Sequence, residues 1–196
     1  MARPRTTSDE AILQATGRAL LRHGPGRLTL GGVAAEAGLS PATLVQRFGS
    51  KRGLLLAFAR RAALGAGDPF DRARREHPSP LAALRAALAA MAAGVRSAEE
   101  MANSLGLLQL DLTDPGLREH AAAHARAVRE QITDLLAQAA RAGELAPGVD
   151  TAALARAVQV AYNGTLILWA LDGGGAPLAD TVHADLDAVL APYRAH

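Results

Sequence analysis

Between Thr29 and Ser50 the chain is punctuated so tightly that little but two short helices can fit. Thr29 has a hydroxyl suited to cap a helix starting at Leu30. Gly38 suits the left-handed residue past a helix end. Ser40 then offers a second cap, followed by Pro41 at a first helical position, where a missing N–H does no harm. Gly49 and Ser50 repeat the stop and start. The spacing predicts helices over about Leu30–Ala37 and Pro41–Phe48, joined by Gly38-Leu39-Ser40, and a further helix from Lys51 to about Leu64. Val33, Ala34, Leu44, Phe48, Leu54 and Leu55 supply an apolar set that would hold them rigidly, leaving Thr43, Gln46 and Arg47 outward on the second helix. This is the layout of a helix-turn-helix, whose second helix must sit at a fixed angle for its side chains to reach base edges in the DNA major groove.

The rest of the chain also reads as helix. Ser8 or Asp9 caps a first helix to about His23, with Ile12, Thr16, Ala19, Leu20 and His23 as its inner stripe and Gly24-Pro25-Gly26 as its stop. Arg3 and Arg5 precede it as a basic arm. Gly65–Pro80, polar and broken by three prolines, reads as a link. Beyond it the periodicity predicts helices over 81–96, 98–112 (Met101, Leu105, Leu108 and Leu112 inward), 115–141, 150–171 and 178–193. The second half of the 150–171 segment is apolar nearly all round, so it must be covered on every side.

Composition agrees. Apolar residues make up 49% of the 196, much of it alanine, while aromatics are only 3%. Alanine favours helix, and the residues that strands prefer are scarce. The expectation is an all-α protein of about nine helices, with a three-helix head over 1–50, a connecting helix and linker over 51–80 and a helical body over 81–196. Charge divides the same way. Residues 1–65 carry ten Lys/Arg against three Asp/Glu, and residues 66–196 carry eleven against sixteen. A basic head on an acidic body fits a polyanion contact at one end.

Several classes are disfavoured. There is no cysteine, hence no disulfide, thiolate metal site or cysteine nucleophile. The start of the chain lacks the apolar core of a signal peptide, and the apolar run Thr165–Leu171 is too short to span a bilayer; a cytoplasmic protein without membrane contact is expected. The six His are scattered, with no HExxH and no GxSxG. His120 and His124 stand i, i+4 but lack an evident third ligand, so no metal, cofactor or enzymatic activity is expected.

The stretch from about Ile12 to Phe58 resembles the DNA-binding domain of TetR-family transcriptional regulators. The residues that carry the resemblance are Thr29-Leu30, Val33-Ala34-Ala35-Glu36-Ala37-Gly38-Leu39-Ser40, Pro41-Ala42-Thr43-Leu44, Phe48-Gly49-Ser50-Lys51 and Leu54-Leu55. The body fits the family in outline only. The resemblance implies a homodimeric regulator, usually a repressor, that a small ligand in the body releases from a palindromic operator on double-stranded DNA. The chain departs from the family where Val45 replaces a usual Tyr, Arg47 a usual His, and Gly31-Gly32 a common polar pair. These departures keep open an alternative, a ligand-binding or partner-binding protein whose head no longer reads DNA.

The candidate residues follow. Thr43, Gln46 and Arg47 are placed to read bases, and Thr29, Ser40, Ser50 and Lys51 to meet phosphates at helix starts. For the effector, Met91, Met101, Leu105, Gln109, His124, Tyr162, Asn163 and Trp169 are candidates, each of which also reads as core. Gln109 and Asn163 stand out because a buried amide needs partners. Few aromatics and few charges near these positions predict a largely apolar effector. The resemblance further implies that the last two helices of each subunit form a four-helix interface, for which Leu166, Leu168, Val182, Leu186, Val189 and Leu190 are the candidates.

Overall fold

A computed structural model describes residues 8–195, which form ten α-helices and a closing 3₁₀ turn at Ala191–Tyr193. In order they are α1 (Asp9–Arg27), α2 (Leu30–Ala37), α3 (Pro41–Phe48), α4 (Lys51–Leu64), α5 (Asp68–Glu76), α6 (Pro80–Ala92), α7 (Ala98–Thr113), α8 (Pro115–Arg141), α9 (Thr151–Leu171) and α10 (Leu178–Leu190). Arg3 and Arg5 lie outside the described residues. None of the helices is long and apolar enough to cross a membrane.

The chain divides into two compact units that interleave in sequence. The first takes the chain up to Ala63 together with Ala102–Ala122; the second takes Leu64–Met101 and the chain from Ala123 onward. In the first unit, α1 to α4 enclose a small core with Ile12, Val33, Leu44 and Leu54 wholly buried and Leu117 of α8 beside them. Each such side chain stabilises the fold by about 1.5–3 kcal/mol. Thr16, buried on the same stripe, donates its hydroxyl to the Ile12 carbonyl at 2.9 Å, so it costs the core no unmet polar group. His23, expected on that stripe, is exposed instead. The helix breaks at Gly24 (φ 68°), which takes the buried position before a last turn through Pro25 to Arg27.

In the second unit α10 lies against α9 and α6, and α5 against α6. Buried alanines on α6 (Ala83, Ala87, Ala89, Ala92) leave room for close packing, and Phe70, Leu84, Leu88, Ile132, Leu135 and Leu136 fill the core. The segment Gly65–Pro80 is not simply a link, since it carries α5. Charged residues dominate that helix and mask its signal, but Phe70 and Ala73 fall on one buried stripe and Pro69 sits harmlessly in its first turn. In the first unit Leu108 and Leu112 of α7, predicted inward, are exposed.

Val182, Leu186 and Leu190, expected at an interface between copies, are instead buried in the core of their own chain. They occupy the side of α10 packed within the subunit, so they offer no surface to a partner. Four exposed apolar residues of this unit, Val160, Ile167, Leu168 and Leu171 on α9, make one stripe at helical spacing, while Leu64 and Tyr193 are exposed apart from it. On α10 the exposed residues include Ala184 and Ala188, small enough for another helix to approach closely.

Candidate nucleic-acid interface

The head is built by its caps. Thr29 accepts from the Gly32 N–H at 3.0 Å and Ser40 from the Thr43 N–H at 3.2 Å. Between the helices Gly38 adopts the left-handed region (φ 68°, ψ 34°), which lets Leu39 N–H bond the Ala34 carbonyl at 2.8 Å and turns the chain within three residues. Ser50 begins α4 by accepting from the Gly53 N–H at 3.0 Å. Gly53 itself has no room for a side chain, since a Cβ there would overlap the Phe48 carbonyl oxygen at the end of α3. Leu44 is the buried side of α3, while Pro41, Ala42, Val45 and Gln46 are exposed. The turn is thus fixed at both ends, and α3 presents one outward face.

The side chains expected to touch DNA have distinct surroundings. Gln46 is exposed at the surface of α3. Thr43 shares a 2.9 Å hydrogen bond between its hydroxyl and that of Ser40. Thr29 and Ser50 use their oxygens as caps, leaving each hydroxyl proton to donate to a phosphate. Arg47 turns toward α1, where it donates to Asp9 at 3.1 Å. Lys51 turns toward the end of α1 and donates to the Pro25 carbonyl at 2.6 Å and the Gly26 carbonyl at 3.4 Å. Gly31 and Gly32 are exposed, so no side chain there would hold a phosphate backbone away from the start of α2.

Most head arginines are paired. Arg18 and Arg22 both meet Glu36, and Arg61 meets Glu10 at 2.7 Å, which holds the Glu10 carboxyl below its ordinary value. Arg52 forms a bidentate clasp on Asp114, at 2.6 and 2.9 Å, joining the first turn of α4 to the cap of α8. Sequence separation hides this pair, since Asp114 stands just before Pro115, where any helix cap would. The Arg52 guanidinium, helped by the Leu117 and Gly116 N–H groups, holds the Asp114 carboxyl at about 2 against an ordinary 3.8. The sign follows from linkage: the stabilisation is complete above pH 3.8 and is lost as pH falls through about 2. A carbon-13 titration of the Asp114 carboxyl should place its midpoint near 2; a midpoint at the ordinary value would mean that the clasp is open in solution.

A cavity of about 560 Å³ opens in the first unit, among α1, α4, α7 and α8. Gln109 lines it; the other effector candidates do not. Met101, Tyr162 and Trp169 are buried in the second unit, where Trp169 donates to the Ala176 carbonyl at 2.8 Å and burial pushes the Tyr162 hydroxyl well above its ordinary range. Met91, Leu105 and His124 are half-buried. Gln109 and Asn163, expected as buried amides, are exposed. Among the interface candidates, Leu168 is exposed and Leu166 and Val189 are half-buried. Among the described residues no three His, Asp or Glu gather as metal ligands.

A rigid two-helix turn whose second helix turns one exposed face outward, here with Gln46 on it, defines the helix-turn-helix class of DNA-binding proteins. Comparison with known proteins narrows this. Residues 12–58 match the family described as bacterial regulatory proteins, tetR family, and residues 80–184 match the tetracyclin repressor-like C-terminal domain. The chain belongs to the TetR family of transcriptional regulators.

Solved structures share the fold over nearly the whole chain. A putative transcriptional regulator from Saccharomonospora viridis, solved in complex with choline, has a TM-score of 0.78 at 19% identity, covering 96% of this chain and 98% of that one. A putative TetR-family regulator from Rhodococcus sp. has a TM-score of 0.71 at 24% identity, covering 93% and 96%. SmeT, the repressor of the Stenotrophomonas maltophilia multidrug efflux pump SmeDEF, has a TM-score of 0.68 at 23% identity, covering 96% and 91%. No curated protein sequence matches the chain.

Proposed function

We propose that the protein is a homodimeric repressor that binds a palindromic operator and leaves it when a small ligand binds. The observation that carries this reading is the outward face of α3, with Gln46 exposed at its surface and Leu44 and the Ser40 cap fixing the helix beneath it. A dimer with two-fold symmetry sets two such helices into successive major grooves, so the site it reads is a palindrome. The exposed α9 stripe of Val160, Ile167, Leu168 and Leu171 supplies the apolar surface that joins the copies.

The roles within the head divide accordingly. Gln46 is the base reader, since a glutamine amide fits the paired donor and acceptor of adenine. Thr29, Ser40, Thr43 and Ser50 meet phosphates through their hydroxyls. Arg47 braces α3 on α1 through Asp9, and it reaches DNA only by giving up that pair.

Gln46→Ala should lower affinity for the selected operator by roughly tenfold to a hundredfold and relax preference at one base in each half-site. Fluorescence anisotropy with operator and scrambled duplexes measures both. If the wild type bound the two duplexes equally, the head would not read sequence, and the alternative of a ligand-binding or partner-binding protein would take its place.

A further inference from the structure

We infer that the cavity among α1, α4, α7 and α8 is a binding site for an amphipathic organic anion, such as a medium-chain carboxylate. About 560 Å³ suits a small organic molecule. Leu55 and Leu117 are buried in its wall and Leu110 lies beside them, so an apolar chain has matching surface to cover.

The charges decide the sign of the ligand. Two cations and one carboxylate line the cavity, namely Lys51, Arg52 and Asp114. Arg52 and Asp114 neutralise each other in their clasp. Among the described residues Lys51 meets the carbonyl oxygens of Pro25 and Gly26, which are dipoles and not charges. An ammonium has three N–H donors, so one remains, and its positive charge is balanced by no carboxylate. Gln109 adds an amide that can donate to the second oxygen of an anionic head group. A smaller cavity in the second unit, about 410 Å³, differs in this respect. There Arg85 and Arg194 both pair with Asp187, and Glu144 is held by the Ser79 hydroxyl and the Leu81 N–H.

The site also explains how a ligand reaches DNA. Lys51 and Arg52 stand on the first turn of α4, directly after the Ser50 cap that ends the helix-turn-helix. An anion on Lys51 draws that ammonium from the end of α1, and the α4 turn that braces α3 moves with it. This coupling rests on the repressor reading above; the binding site does not.

The test uses the full-length protein and octanoate, octanol and octylammonium as probes, with calorimetric titration of each. Octanoate should bind about tenfold or more tightly than octylammonium, with octanol between. Lys51→Met should reduce octanoate affinity by a similar factor and erase the preference for the anion. Leu110→Trp, which fills the cavity, should abolish octanoate binding. Equal or tighter binding of octylammonium by the unaltered protein would overturn the proposal, and so would octanoate affinity that survives both substitutions. In parallel, octanoate should displace the wild type from labelled operator while octylammonium does not. Release without charge preference, or none at saturating octanoate, would overturn the coupling. A protein that bound octanoate as described but no DNA would instead sink the repressor reading and leave the site in place.

Discussion

Leu168→Glu should yield a folded monomer whose operator affinity has fallen by about a hundredfold or more. Leu168 is 60% exposed on α9, so the new carboxylate stays in water within one subunit and circular dichroism should change little. Between two subunits it would be buried without a partner, at a cost that a helix interface of this kind cannot meet. Losing one head of a two-headed reader removes the second, intramolecular binding event, and that step accounts for the factor of a hundred or more. Leu190→Glu provides the contrast. Leu190 is 0% exposed, so the same carboxylate would sit in the subunit core and the chain should lose its cooperative melting altogether. Analytical ultracentrifugation separates the two. A Leu168→Glu protein that still sediments as a dimer would place the interface away from α9.

The second large effect is expected at Gly53. Gly53→Ala inserts a Cβ where the Phe48 carbonyl oxygen stands, so backbone at the end of α3 or the start of α4 must shift. Overpacking of this kind costs about 3 kcal/mol. For a chain of this length that lowers the melting temperature by roughly 6–12 °C. The damage falls at the end of α3, so DNA affinity should drop even at temperatures where the body remains folded. Gly31→Ala is the matched control, since a Cβ there meets nothing within 4 Å and α2 gains a better helix former. Equal melting temperatures for the Gly53 and Gly31 variants would contradict the close approach.

The head was legible because its information is local. Thr29, Gly38, Ser40, Pro41, Gly49 and Ser50 each fix a boundary within a few residues of themselves, and α2 and α3 begin and end where those residues predict. The body was legible as helices but not as surfaces. Apolar residues repeat on both sides of α9 and α10, and periodicity alone cannot tell which stripe faces its own core. Val182 and Leu190 therefore look like interface residues in sequence and prove to be core, while Val160, Ile167 and Leu171 are exposed. The candidate site shows the same limit. Arg47 and Lys51 sit where DNA contacts belong, but their partners Asp9 and Pro25 come from another helix, and no spacing announces them. The Arg52–Asp114 clasp spans 62 residues and is visible only when the chain is folded.

Under the proposed function this head reads a specific, two-fold symmetric DNA sequence. Selection from a random duplex pool by the full-length protein, followed by salt titration of the recovered duplex, tests it most directly. A palindrome whose half-sites lie about one helical turn apart, or a multiple of it, should be enriched. Affinity should fall steeply with salt while the preference over scrambled DNA persists. Recovery of no common sequence, with equal affinity for every duplex at each salt concentration, would contradict it.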